Sequence, residues 1–596
     1  MTEPTTPEPT TPQPPAPPAA AKKAGPRKAA GKKTVGGKTP KQAAVRGATT
    51  KAAVVKKATA ASPSTRTRRP GPRAAAEPAP PAPAVALPAE DVPVATMATD
   101  AAFAPAAPAG GQQRPLKNMS EVRHFFRTNV VPIYFVGATP FNLLGLDRWV
   151  RNFSYISYYD AWDGAHPRVF TPTYKPYVEF ESGEHINNWL LTNAEVRAFI
   201  DSRAVPGQRP KVAMVFFDEE TETICEELGY DLILPSAELR SHLDSKLVTT
   251  RLGNEVGVPS VPNVMATVED FEGLAKVAED AGLGTDLVVQ SAYGDSGKTT
   301  FFIASEADWR KNRKHIVGNE VKVMKRINNR PVAVEAVLTK CGTVVGPFMS
   351  ELTGHAKLTP YRGGWCGNEM YPGVLTGELR ARAGDLVRRL GDRLGQEGYR
   401  GFFEVDVLVD VDTDEVYLGE LNPRISGASS ITNVTAGAYA DVPLFLFHLL
   451  EYLDVDFDLD VDDINGRWQE LAGVDLWSQM IIKETSPGVE RIDTAAPTGA
   501  YVLDDRGALV FRRGALDWHQ LQNESEAFFL RVYGPGDFRW KGADLGVLVT
   551  KGVLQTGEPA TLTIRAKHLI DSIRAHYTGT PIMPPTVEMP VGAKSS

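Results

Sequence analysis

Two carboxylates and an amide define the most specific chemistry this sequence offers: Glu404, Glu420 and Asn422. Each glutamate sits in an apolar run that reads as a strand. Asn422 follows Glu420 by two residues, a spacing that keeps both side chains on one sheet face. Such an all-oxygen set suits magnesium, which prefers hard ligands and is usually shared with substrate phosphates. A second element is Gly294-Asp295-Ser296-Gly297-Lys298-Thr299-Thr300. Its glycines let backbone N–H groups approach an anion, and Lys298 adds a point charge. It is not a P-loop, because the first glycine is too close to Gly-Lys-Thr and a strand follows. A third is Asp244-Ser245-Lys246, where Lys246 heads a helix that closes at Gly257-Val258-Pro259. Taken singly, each has an ordinary structural reading: solvated strand ends, a hairpin turn, an exposed helical lysine.

The elements that must position these residues follow from apolar periodicity. Val130 to Val136 and Lys211 to Phe217 read as buried strands, and Asp231 to Leu234 as a third. An apolar helix through Val150 and the helix Glu219 to Leu228 alternate with them, which implies a parallel sheet covered by helices. Val288 to Ser291 and Phe301 to Ile303 flank the Gly-rich turn. Ala333 to Thr339 pairs with Thr343 to Phe348 across Lys340-Cys341-Gly342. A Gly- and aromatic-rich loop spans 353–373 and a helix spans Gly377 to Glu397. Two strands, Gly401 to Val409 and Glu415 to Glu420, then carry the carboxylates across the acidic turn Asp410 to Asp414.

Charge divides the chain. Its 596 residues carry a net −7, yet residues 1–76 hold 16 Lys or Arg against two acids. That basic, Pro- and Ala-rich stretch, continuing to about residue 115, cannot bury enough apolar surface to order itself. It reads either as an arm for nucleic acid or another polyanion or as a solubilising extension. Cys225, Cys341 and Cys366 show no paired spacing, so neither a disulfide scaffold nor a zinc site is expected. The longest apolar run, Val442 to Leu450, falls short of the ~20 residues a membrane helix needs. A cytoplasmic protein without a membrane segment is the expectation.

Order and spacing together are more specific than the parts. A Lys heading a helix closed by Gly-Val-Pro, a strand and Gly-rich hairpin, a Glu strand, and Glu420-Leu421-Asn422-Pro423-Arg424 resemble the ATP-grasp superfamily over about residues 240–450. The resemblance implies a mixed α/β and α+β fold. A disordered basic tail (1–115) would precede a Rossmann-like pre-grasp domain (116–240). The ATP-grasp domain (241–455) would carry a lid at about 262–327, followed by a C-terminal α+β domain (456–580) and a frayed end (581–596). It also implies ATP with Mg2+, or Mn2+ in its place. Glu404, Glu420 and Asn422 would hold the metal. Lys246, Gln290, Gly294, Ser296, Gly297 and Lys298 would line the phosphates, and Glu335 matches a Glu near the ribose. Arg424 matches an Arg facing the acyl-phosphate site, joined by Lys357 and Arg362 as catalytic candidates on the 353–373 loop, near His355. Trp365 reads as a plug between lobes, and Cys366 as buried structure.

The family reaction activates a carboxylate as an acyl phosphate, which an amine or another nucleophile attacks. In biotin carboxylases the closing motif carries a base Glu where this chain has Ala428. Val323-Met324-Lys325 resembles a biotinyl Met-Lys-Met but lies at the expected hinge. The reading is therefore a stand-alone carboxylate–amine ligase acting on small molecules, with a dimer compatible. Gln290 stands where the family usually has Lys or Arg, and an amide does not replace a cation's attraction for phosphate. Two alternatives stay open: a degenerate nucleotide-binding scaffold with a polyanion-binding tail, and a bicarbonate-using carboxylase.

Overall fold

The computed structural model describes residues 114–582, apart from 177, 179, 295–298, 436–441, 472–473 and 558–559. The near-continuous apolar strand Ile133–Gly137 is buried at every position, as a central parallel strand must be. It lies between Phe153–Ser157 and Lys211–Ala213 in a five-stranded parallel sheet edged by Val169–Phe170 and Asp231–Leu232. The covering helix Glu219–Leu228 starts at Asp218, whose carboxylate accepts from the Thr221 N–H while the Thr221 hydroxyl accepts from the Asp218 N–H. That reciprocal cap fixes where the strand hands over to the helix. The helix expected through Val150 does not form. Pro140 and Gly145, at φ 90°, break the run into two 3-10 turns, Phe141–Leu143 and Leu146–Arg148.

A ten-stranded antiparallel sheet carries the carboxylates. Val416–Asn422 is its edge, followed by Gly401–Asp410, Asn329–Thr339, Gly342–Thr353 and Trp365–Met370. Trp365–Met370 lies within the segment expected to be loop. It pairs on its far side with Trp477–Lys483, so the C-terminal strands extend the same sheet. Gly367 permits that close approach, because a Cβ there would collide with the Gln479 carbonyl. The long helix Gly377–Gln396 buries Leu386, Val387, Leu390 and Leu394 against this sheet.

Residues 263–325 form a smaller lobe. Its sheet runs Asn263–Thr267, Glu320–Lys325, Leu287–Ser291, Thr300–Ile303, each neighbouring pair antiparallel. Helices Phe271–Asp280 and Glu306–Asn312 cover one face. Leu274, Leu287, Val289, Trp309, Val321 and Val323 make a core separate from that of the main sheet. Such an independently cored lobe can move as a unit. Among the described residues, no helix is long and apolar enough to cross a membrane.

Candidate functional site

Glu404 lies directly opposite Asn422, and Asp406 opposite Glu420, on the paired strands Gly401–Asp410 and Val416–Asn422. Opposed residues in an antiparallel pair share a face, so all four side chains rise from one side of the sheet. The Asn422 amide donates to Glu404 Oε2 at 2.5 Å. Glu351, from the strand Gly342–Thr353, joins them: its carboxyl is pushed well above the usual range by burial and then by Asp406 and Glu420. Burial also raises Glu404, reinforced by Asp406, and raises Asp406 and Glu420 against the pull of Lys246. Burial and mutual repulsion thus load one patch with carboxylates short of positive charge.

Lys246 reaches this floor directly. It begins the helix Lys246–Glu255, capped by Ser245, and is only 5% exposed. Its ammonium donates to Glu420 Oε1 at 2.6 Å and to the Gly294 carbonyl at 3.0 Å. One side chain therefore ties the carboxylate floor to the entrance of the Gly-rich hairpin. Ser296, Gly297 and Lys298 lie outside the described residues. Gln290 donates to Thr300 Oγ1 at 3.2 Å. Directly across from it on the next strand is Lys322, 1% exposed, its ammonium pushed down to about 8 chiefly by burial and then by Lys246.

Arg424 follows the edge strand, and its charge acts on Asp406. The segment after it is held from below by Glu335. That carboxylate is fully buried opposite Glu404 and accepts from the hydroxyls of Ser426 (2.9 Å), Ser429 (2.6 Å) and Thr432 (3.0 Å). The expectation for Glu335 is a place beside a ribose. The fold shows it fastening the chain beyond Arg424, and burial lifts its carboxyl to about 7. Trp365 donates to Asn368 at 3.1 Å and packs so closely on Gly427 that no Cβ fits there. Cys366 is buried, with its thiol on the Leu352 carbonyl.

The loop candidates are not brought to the floor. Lys357 forms a surface ion pair with Asp571 at 2.6 Å, on the C-terminal helix Ile564–Ala575. Arg362 is exposed, and His355 contacts Gln555 at 3.0 Å. Neither Lys357 nor Arg362 is among the charges acting on the four carboxylates. The loop's composition suggests them, but the strand Trp365–Met370 and its C-terminal neighbours hold that segment against the C-terminal helix instead.

Asp406, Glu351 and Lys322 escape the sequence reading. Asp406 has a signal, since it alternates with Glu404 on the same strand. Among the described residues no three of His, Cys, Asp or Glu are grouped as a ready metal cage. Two carboxylates and an amide need further oxygens, which is how magnesium is held when phosphates complete its shell.

No family model matches the chain. It is 22% identical over 223 residues to biotin carboxylase 1 of Bacillus subtilis (strain 168), covering 36% of this chain and 47% of that protein. It is 20% identical over 222 residues to the mitochondrial methylcrotonoyl-CoA carboxylase subunit alpha of Arabidopsis thaliana, covering 36% of this chain and 29% of that one. The matches thus span less than half the length of either relative. Among solved structures, biotin carboxylase from Campylobacter jejuni is similar at a TM-score of 0.50 and 13% identity, over 76% of this chain and 92% of the other. The chain therefore carries the ATP-grasp fold, with a core similar to that of biotin carboxylase.

Proposed function

We propose that the protein is an ATP- and magnesium-dependent ligase that activates a small-molecule carboxylate as an acyl phosphate for attack by an amine. The observation that carries this reading is the Lys246–Glu420 contact on the face shared by Glu404, Asp406 and Asn422. It sets a cation for phosphate beside oxygen ligands for a metal. The buried, mutually repelling carboxylates fit a divalent cation, which would neutralise charge on a phosphoryl group in transfer. Glu404, Glu420 and Asn422 would hold it. Lys246 would then exchange Glu420 for a phosphate oxygen, and Arg424 would orient the acyl phosphate. The smaller lobe, with its own core, would close over the site and keep water from the anhydride. The solved biotin carboxylase from Campylobacter jejuni is a β-γ-ATP complex, which supports the nucleotide part.

The curated relatives are a biotin carboxylase and a methylcrotonoyl-CoA carboxylase subunit by name, so a bicarbonate-using reaction is the second reading. Ala428, buried and backed by Ser426, offers no base of its own. The test is ADP release by the full chain with pools of carboxylates and amines, and separately with bicarbonate, using Glu420→Gln as the control. Stimulation by an acid–amine pair, absent in Glu420→Gln, supports the ligase. Stimulation by bicarbonate alone supports the carboxylase. ADP release equal in wild type and Glu420→Gln would sink both.

A further inference from the structure

We propose that Lys322 supplies the phosphate-binding cation that the strand end at Gln290 lacks, reaching the same anion from the neighbouring strand. This rests on the nucleotide reading above. The geometry is one of register. On Glu320–Lys325, Val321 and Val323 point into the lobe's core, so Lys322 must face the other way. Its cross-strand partner there is Gln290, and opposed side chains share a face. The amide at 290 and the ammonium at 322 therefore line one surface, the one that also feels Lys246 and Glu420.

Lys322 is 1% exposed, and no hydrogen bond or ion pair joins its ammonium to any described residue. The counter-charge that acts on it, Glu420, is hydrogen-bonded to Lys246 instead, and a lysine buried that deeply without a hydrogen-bonded partner is costly unless a ligand completes it. Its neighbour Lys246 already has Glu420 and the Gly294 carbonyl. A second ammonium next to that satisfied one is poorly explained by packing. An anion held between them accounts for both its burial and its lack of a hydrogen-bonded partner. The triphosphate of a nucleotide brought to the Lys246–Glu420 contact is that anion. Moving the cation one strand over preserves the charge facing the phosphate while leaving position 290 neutral.

The test is calorimetric titration of full-length protein with Mg-ATP and, as a control without phosphates, with adenosine. Wild type, Lys322→Met, Lys322→Arg and the relocated pair Gln290→Lys with Lys322→Met are compared. A charge-assisted hydrogen bond from a buried cation predicts a roughly ten- to hundred-fold loss of ATP affinity in Lys322→Met. Adenosine affinity should be unchanged in that variant. Lys322→Arg should retain most of the affinity, and the relocated pair should regain at least half of the lost decades. Equal ATP affinity in wild type and Lys322→Met, or equal losses for ATP and adenosine, would overturn the assignment while leaving the nucleotide site standing. No ATP binding by wild type would overturn both.

Discussion

Replacing Glu335 by Gln should change how stability depends on pH, by an amount the surroundings of that residue set. The carboxyl is raised from the usual 4.5 to about 7, with burial the leading cause and the Ser429, Ser426 and Thr432 hydroxyls opposing it. In the unfolded chain it loses its proton above about 4.5, whereas in the fold it holds it to about 7. Between those values the folded state binds more protons, so stability falls as pH rises through that window and levels off above it. Two and a half pH units at about 1.36 kcal/mol each come to about 3 kcal/mol. The amide introduced by Glu335→Gln cannot ionise. Its oxygen keeps the role of acceptor for Ser426 and Ser429, and the Thr432 hydroxyl can turn to accept from its amino group. Urea denaturation of wild type and Glu335→Gln at pH 5, 6, 7 and 8 isolates this residue, because other titrations cancel in the difference. Part of that change lies below pH 5, so between pH 5 and pH 8 the variant should gain about 2.5 kcal/mol relative to wild type. A difference that stays constant across the series would refute the reasoning and mean that Glu335 is ionised in its pocket throughout.

Gly427→Leu should be destabilising by about 1–3 kcal/mol through overpacking against Trp365 and should displace the segment after Arg424, seen as a lowered thermal midpoint with weakened nucleotide binding. Gly427→Ala combined with Trp365→Leu should recover part of the loss. Lys357→Ala removes an ion pair whose side chains are 45% and 55% exposed, so its thermal midpoint should move by less than about 1 kcal/mol equivalent. Deleting residues 1–115 removes the strongly basic stretch, and affinity for duplex DNA that falls steeply between about 50 and 200 mM salt should disappear with it. DNA affinity unchanged by the deletion would assign that segment no polyanion role.

Much of this fold could be read from local pattern. The helix Glu219–Leu228 declares itself through Asp218 and Thr221 at its start and Gly229 at its end, and the structure has the same bounds. The strand Ile133–Gly137 shows in its unbroken apolar run, and the two-residue spacing of Glu420 and Asn422 predicts their shared face. What was not legible depended on partners far away in sequence. Trp365–Met370 looks like loop because of its glycines and becomes a strand only beside Trp477–Lys483, more than a hundred residues on. Glu351 lies beyond the expected strand Thr343 to Phe348, and only the longer strand Gly342–Thr353 sets it beside Asp406 and Glu420. Lys322 carries no local sign of burial, since an isolated lysine in a strand is ordinarily on the solvent face, and only its pairing with Gln290 reveals the surface it faces. Order along the chain gives no sign of the three hydroxyls bonded to Glu335, which arrive from a segment about ninety residues later.

The central claim is that carboxylate floor and lysine together hold a nucleotide through a metal. Calorimetric titration of ATP into the full chain, with and without magnesium, and into Glu420→Gln tests it most directly. The account predicts saturable binding to wild type with magnesium, weakened at least about ten-fold when either the metal or the Glu420 carboxylate is removed, as expected for a lost charged ligand. Binding of equal strength in all three titrations, or none in any, would contradict it.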